Sequence, residues 1–555
     1  MYKKMSLWMS LLIVLVSLSG CGLSAQPQNE DAVAESENIV TTTEVASDNT
    51  DQADTSDYGT AIFGVDIISL EIIADEDTWQ AMLDNAEAEE YIEVDVVVNG
   101  TRFNDVGIRP KGNSSLREVA SSDSDRFSFR LKFDKYVEGQ TCFGLDTFVV
   151  NNMTGDNTYM KEYLSYDLMK TIGVDVPYFG YANISVNDQP WGLYLAVELY
   201  NDSYEERVFD TTSGMLYNVK MSDMGQGDMG GFGNLPPDAN ASASMNTSND
   251  TSPNAPQTER PEKGTFPNGG TPPSGFTGGT KGGMAAGMGE GMRNGMGAGN
   301  TGGSLKYIDD SSESYSAIFE NVVGDGDEEA YQRVITALKA LSEGDDIETY
   351  FDVDAILRYF AAHNLVVNLD SYSSSMAQNY YLYENDGQLT VLPWDYNLAW
   401  GGFQSGDASS VVNFPIDTPV SGVDMSERPL LEKLLSNETY LETYHTYVQE
   451  LLNKAFANGQ FEAKVKALDA LISDYVKTDA TAFCSFEEYQ TAVSALTTLG
   501  NLRYESVQGQ LDGTVPSTTA TQAENKDALI DASQLNLSDL GSMMGGDRGM
   551  KKRPE

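Results

Sequence analysis

Residues 221–303 constrain this chain more than any other stretch. Gly, Met, Pro, Asn, Ser and Thr dominate them, as in Gly282-Gly283-Met284-Ala285-Ala286-Gly287-Met288. Such a composition buries too little apolar surface to offset the entropy of ordering the chain. The stretch reads as a disordered insertion over 221–303, so any fold must be assembled from two separated ordered parts. The first, 59–220, is strand-rich with one prominent helix. The second, 304–511, is mostly helical with one hairpin. That segregation of strands and helices predicts an α+β fold.

Alternation carries the first part. In residues 127–133, Phe127, Phe129, Leu131 and Phe133 share one face, while Ser128, Arg130 and Lys132 share the other, the pattern of a half-buried strand. Residues 67–73 and 92–98 are further strands, the second turning at Asn99-Gly100 into 106–110. A polar loop, Lys111-Gly112-Asn113-Ser114-Ser115, follows. Residues 146–151 are a strand, and 178–186 with 191–199 form a hairpin across Asn187-Asp188. One helix stands among them. Met160, Leu164, Leu168 and Ile172 recur every four residues over 156–172, with Asp156 or Asn157 at the N-cap and Gly173 at the end. Glu162 lies off that apolar stripe.

The second part holds an amphipathic helix (Tyr331, Ile335, Leu338, Leu341) and a helix over 355–369 that is apolar nearly all round and hence buried. The latter delivers Asn368-Leu369-Asp370 into a loop, and His363 within it reads as a core histidine. Next, Asn379-Tyr380-Tyr381-Leu382-Tyr383 and Leu389-Thr390-Val391-Leu392-Pro393 flank Asn385-Asp386-Gly387, a strong hairpin signal. The hairpin ends on Trp394-Asp395-Tyr396-Asn397. Helices follow over 429–456, 461–475 and 486–511, then a low-complexity, disordered tail over 512–555.

The ends of the chain and its charge narrow the setting. Lys3 and Lys4 precede an apolar run over 7–18 and then Leu18-Ser19-Gly20-Cys21. A basic start, a short apolar run and small residues at a cleavage site predict a signal peptide over 1–20, too short to span a membrane. Its ending resembles a bacterial lipobox, which implies a lipid on Cys21, a disordered tether over 21–58, and a protein anchored to the membrane outside the cytoplasm. A net charge of −50 excludes nucleic acid as partner, since that needs clustered Lys and Arg. Beyond Cys21 only Cys142 and Cys484 remain, and there are two histidines. One disulfide or two separate thiols are both open. A Cys- or His-based metal site is excluded by count, so any metal must be a hard cation held by oxygen: Mg²⁺, Mn²⁺ or Ca²⁺.

A candidate constellation now stands together: a Gly/Ser loop, Lys132 on a polar strand face, Glu162 on the one helix, and Asp370 and Asp395 on either side of a hairpin carrying Asn379. A strand-rich half with one helix, followed by a helical half, is the layout of a two-lobed protein kinase. Phosphoryl transfer needs these residue types: a lysine for phosphates, a glutamate to hold it, a carboxylate base, and a carboxylate with an amide oxygen for Mg²⁺. The usual kinase signatures are absent. Taken singly, each has a bland alternative: Lys132 as a solvent-facing residue, Glu162 as a surface helix charge, and Asp370 and Asp395 as turn residues or caps.

The runs at 107–115, 128–133, 160–164, 191–198, 368–372, 379–383 and 392–397, among them Gly107-Ile108-Arg109-Pro110-Lys111-Gly112-Asn113-Ser114-Ser115 and Leu392-Pro393-Trp394-Asp395-Tyr396-Asn397, closely resemble the spore-coat protein H (CotH) family. The resemblance implies an atypical two-lobed kinase-like fold, with an N-terminal lobe over 59–220 and a helical C-terminal lobe over 304–511. It also implies activity with ATP and Mg²⁺ or Mn²⁺. By it, Lys132 looks like the phosphate-contacting lysine, Glu162 its partner, Asp370 the catalytic base and Asp395 the metal-binding aspartate. Lys111, Asn113, Ser114 and Ser115 resemble the phosphate-covering loop. Asn379 is placed as a second metal ligand, with Asn397 the alternative. The expected function is transfer of the ATP γ-phosphate to Ser or Thr of exported proteins. The alternative is a catalytically silent surface protein that keeps the fold.

Overall fold

Seven strands of the first part pair into a closed ring. β1 (Ile67–Ile73), β2 (Ile92–Val98), β3 (Thr101–Lys111), β4 (Ser128–Lys132), β5 (Thr147–Asn151), β6 (Phe179–Val186) and β7 (Gln189–Glu198) stand in the order β1-β2-β3-β4-β5-β7-β6. A parallel pairing of β1 with β6, Ile67 against Tyr181, shuts the barrel. The structure is a computed structural model that describes residues 57–220, 301–344, 346–541 and 543. The signal peptide, Cys21, most of the tether and residues 221–300 lie outside the described residues. The kinase-like lobe expected for 59–220 is therefore corrected to a closed seven-stranded barrel with helices packed on it. The strands themselves are as expected; closure depends on a contact between segments that share no turn, which no local pattern reports.

Alternation assigns each side chain to one of two cores. Ile108, Phe129, Leu131, Phe148, Val150, Tyr194 and Ala196 fill the barrel interior. Their neighbours point outward. On β5 and β7 the outward residues Val149, Leu195 and Val197 are apolar and join a second, larger core with Leu164 and Leu168. On β3 and β4 the outward residues are Arg109, Lys111, Arg130 and Lys132, since Lys111 pairs with Ser128, Arg109 with Arg130 and Gly107 with Lys132. One side of the barrel's outer surface is thus covered by helix, and the adjoining side is cationic.

Seven helices matter here: α1 (Glu76–Asp84), α2 (Ser114–Ala120), α3 (Lys161–Thr171), α4 (Val353–Val366), α5 (Glu438–Ala455), α6 (Gln460–Thr478) and α7 (Phe486–Asp512). α3 begins five residues later than its apolar spacing suggests. Asp156 turns the chain first, one carboxylate oxygen accepting from the Thr158 N–H and the other from the Lys161 N–H, both at 2.8 Å. A second sheet, in the order β10-β9-β8, combines β8 (Met215–Val219) with the hairpin β9 (Tyr380–Asn385) and β10 (Gln388–Pro393). The hairpin turn is Asp386-Gly387, at φ +50° and +88°, as the two-residue signal requires.

Two ties fix the barrel to the helices. Arg126, fully buried, donates to Asp479 at 2.7 Å past the end of α6, and also to the carbonyls of Asn152 and Leu193. The second tie corrects the reading of 512–555 as one disordered tail. Residues 513–541 are folded, with a helix over Thr519–Glu524 and a turn over Leu537–Leu540. Val515, Ala532 and Leu540 are buried. Isolated apolar anchors in a polar run give no periodicity, so pattern reading misses them. The segment ends on the loop before α3, where Asn157 N–H donates to the Leu540 carbonyl at 3.0 Å and Lys161 Nζ faces the Gly541 carbonyl at 3.4 Å.

Candidate active site

The site forms where the cationic and helix-covered sides of the barrel meet. Lys111 ends β3 and Asn151 ends β5, both beside Ser128 of β4 at the same rim. α3 crosses this rim with its first turn, so Glu162 is buried there. Asn151 Nδ2 donates to Glu162 at 2.9 Å and Tyr166 Oη at 3.3 Å. Burial, then the nearby charge of Asp395, pushes the Glu162 carboxyl up to about 7, while Lys111 opposes.

Asp395 follows β10 after one intervening residue, at φ +62°. This left-handed backbone is uncommon outside glycine, and such positions cluster at functional sites. Burial raises its carboxyl above the usual range and Lys111 counters this. Its carbonyl accepts from Asn368 Nδ2 at 3.2 Å. Asn368 also accepts the Asp370 N–H at 3.2 Å, so one residue at the end of α4 touches both loops. Gln378 Nε2 donates to Asp370 Oδ1 at 2.8 Å and Asn379 Nδ2 to Oδ2 at 3.0 Å. Burial, then Asp395, pushes Asp370 up to about 7, and those two amides oppose.

Of the three predicted carboxylates, Asp395 is the one whose charge reaches both Glu162 and Asp370. Lys132 is not brought to them. Its Nζ lies 3.3 Å from Asp134 and its charge acts on Asp146. Lys132 sits opposite Gly107, four residues back along β3 from Lys111, or about 13 Å at the usual strand rise. The lysine whose charge reaches both Glu162 and Asp395 is Lys111. Around it, Lys220 just past β8 is pushed below the usual lysine range by desolvation and then by Lys111, Arg109 and Arg130, with Glu89 opposing. The cationic face of the barrel thus looks onto the second sheet.

After Lys111 the chain takes φ +132° at Gly112, where a Cβ would lie 2.8 Å from Ser115 Oγ. Asn113 then precedes α2 without a side-chain capping bond, and Ser114 and Ser115 form its first turn. Asn379 bonds Asp370 through its amide nitrogen, so its predicted ligand role falls to Oδ1. The alternative, Asn397, donates to the Thr154 carbonyl at 3.2 Å. Gln378 and Asn151 escaped sequence reading: neither belongs to a charge pattern, and each acts by orienting a carboxylate. Among the described residues, Cys142 and Cys484 are both free thiols.

The donor set fits a hard divalent cation. The charge of Asp395 raises both Glu162 and Asp370, and Asn151 Oδ1, buried beside Glu162, has no hydrogen-bond partner. Among the described residues no three His, Cys, Asp or Glu side chains converge at ligand spacing. Mg²⁺ needs no such cage, since it is commonly held by one or two carboxylates and substrate phosphates.

A family model described as CotH kinase protein matches residues 108–266 and 297–507. Inner spore coat protein H of Bacillus subtilis (strain 168) is 24% identical over 136 residues, which cover 24% of this chain and 34% of that protein. The chain thus spans about a third of the length of this curated relative. Among the described residues no helix is long and apolar enough to cross a membrane.

Proposed function

Because the chain belongs to the CotH kinase protein family, we propose that it is an ATP-dependent protein kinase working outside the cytoplasm. It moves the γ-phosphate of ATP to Ser or Thr hydroxyls of exported proteins, and a lipid on Cys21 holds it to the membrane. One observation carries the reading: Asp370 and Asp395, on two loops joined by Asn368, lie beside a rim where Lys111 acts on both Glu162 and Asp395.

Each side chain then has a role. Lys111, with Gly112 and the first turn of α2, receives the phosphates of ATP. Asn151 orients Glu162. Asp395, with Glu162 beside it and Asn379 Oδ1, would hold Mg²⁺ or Mn²⁺. That cation, when bound, neutralises charge on the transferring phosphoryl group. Asp370 takes the proton of the acceptor hydroxyl as the new O–P bond forms and ADP leaves. Its carboxyl, pushed up to about 7, is matched to proton transfer near neutrality. Gln378 and Asn379 aim it.

Incubating residues 57–555 with labelled ATP, Mg²⁺ or Mn²⁺ and Ser/Thr-containing proteins tests the reading. Transfer abolished by Asp395→Ala is expected. Absence of transfer, with wild type and Asp395→Ala indistinguishable, would overturn it in favour of a silent surface protein.

A further inference from the structure

His363, on the last turn of α4, is 1% exposed. Its ring lies between the two loops that carry Asp370 and Asp395. Nδ1 is 2.7 Å from the hydroxyl of Tyr396, the residue after Asp395. Nε2 is 3.0 Å from Ser371 Oγ and 2.8 Å from Ser373 Oγ, on the residues one and three past Asp370. One imidazole therefore touches the immediate neighbour of each carboxylate.

Counting protons assigns the tautomer. Ser371 Oγ donates to the Asn368 carbonyl at 2.6 Å, which uses its only proton, so it can only accept from the ring. Ser373 Oγ, at 2.8 Å, can accept from the same hydrogen, so both serine contacts are satisfied together when Nε2 carries it. Nδ1 is the acceptor, and Tyr396 donates to it, with Tyr359 Oη farther away at 3.3 Å. A second proton at Nδ1 would meet two phenol groups and no carboxylate, and burial holds the ring at a pKa of about 3.

The two loops need such a tie. The charge of Asp395 pushes the Asp370 carboxyl up. The segment between α4 and β9 holds Val367, Ala377 and Asn379 at positive φ, and Asp395 is at positive φ as well. For a β-branched residue such as Val367 that backbone is strained. A charged tie would add a cation or anion to the site; a neutral imidazole adds neither.

We propose that His363 is a positioning residue: a neutral Nε2–H imidazole that sets the spacing of Asp370 and Asp395 through Ser371, Ser373 and Tyr396. The use made of that spacing rests on the phosphoryl-transfer reading, whereas the tie itself does not.

The test uses the full chain. The chain has two histidines, so ¹⁵N imidazole spectra of wild type and His445→Asn isolate the His363 signals. A neutral Nε2–H ring between pH 6 and 8 is expected; an Nδ1–H tautomer or an imidazolium overturns the assignment. Mn²⁺ binding with ATP, followed by electron paramagnetic resonance, gives the second readout. His363→Ala should weaken Mn²⁺ about 10-fold or more, in line with other outer-shell changes at metal sites, and lower kcat. His363→Gln, which keeps an N–H donor at the ε position, should recover most of both, although the two variants lose similar thermal stability. Wild-type Mn²⁺ affinity and kcat in folded His363→Ala would overturn the proposal. If His363→Ala does not fold, the Gln variant decides: a Gln variant no better than wild type without its Ser371 partner, Ser371→Ala, overturns it. Should wild type transfer no phosphate, the kinase reading fails alone, and the spectra and Mn²⁺ titrations still decide the tie.

Discussion

Asn379 holds Asp370 at two points, its side-chain nitrogen donating to the carboxylate at 3.0 Å and to the backbone carbonyl at 2.8 Å. The first bond stabilises the charged carboxylate, opposing the burial that pushes it up. Asn379→Ala should therefore move the acid limb of kcat/KM to higher pH, and Asp370→Asn should lower kcat by about 10²–10⁴-fold, the usual contribution of a general base. pH–rate profiles of both variants check this; an unmoved limb in Asn379→Ala would count against Asp370 as the base.

The two lysines on neighbouring strands separate cleanly. Lys111→Ala should lower kcat/KM for ATP by about 100-fold, the scale of losing one electrostatic contact to a transferring group. Lys132→Ala should stay within about threefold of wild type, because Lys132 pairs with Asp134 at 3.3 Å and is partly exposed. Steady-state kinetics on the pair distinguishes them, and the reverse ranking would restore Lys132 as the phosphate lysine.

Without metal, the site should cost stability as pH rises. Glu162 and Asp370 both sit near 7 in the folded protein, against about 4 when unfolded. The folded state then binds more protons across that window, so the stability these groups contribute is full below about pH 4 and is lost as pH rises through about 7. Thermal melts of the metal-free protein should show Tm falling from pH 5 to pH 7.5, less steeply in Asp370→Asn. Mg²⁺ with ATP should restore Tm at the upper end.

Arg126 and Asp479 form the buried pair between barrel and α6, with side chains 0% and 1% exposed. Arg126→Met leaves Asp479 charged and without its guanidinium, and should cost about 3–5 kcal/mol. Denaturant unfolding measures it. A loss below about 1 kcal/mol would mean that water reaches Asp479.

Gly541 lies at φ +84°, where a Cβ would fall 2.8 Å from the Asn157 nitrogen and 2.9 Å from the Gly155 carbonyl. Gly541→Val should lift the C-terminal segment off the loop before α3. Faster amide exchange at Asn157 is the expected signature, together with reduced activity, since that loop sets the start of α3 and hence Glu162.

Much of this was legible in sequence because it is local. β1 and β2 run over the residues whose alternation marks them, and the Asp386-Gly387 turn sits between β9 and β10. The charge of Asp395 reaches both Glu162 and Asp370, two residues that the sequence had singled out by type and order. The choice between Lys111 and Lys132 was not legible. Both lie on the same outward face of adjacent strands, and only the register that sets Lys111 against Ser128 puts one of them at the rim beside Asn151. Barrel closure and the docking of residues 537–541 escaped for the same reason: each depends on partners far away in the chain.

The second sheet has a consequence for the low-complexity stretch. β8 reaches Val219, the Lys220 N–H donates to the Ala317 carbonyl, and the Ala317 N–H donates to the Thr301 carbonyl. Lys220 and Thr301, the described residues on either side of 221–300, are therefore tied to one residue, Ala317, like two ends of thread through one eyelet. With those two borders sewn together by Ala317, the pairing of β8 with β9 is held from within the described fold, by residues on both sides of the low-complexity stretch.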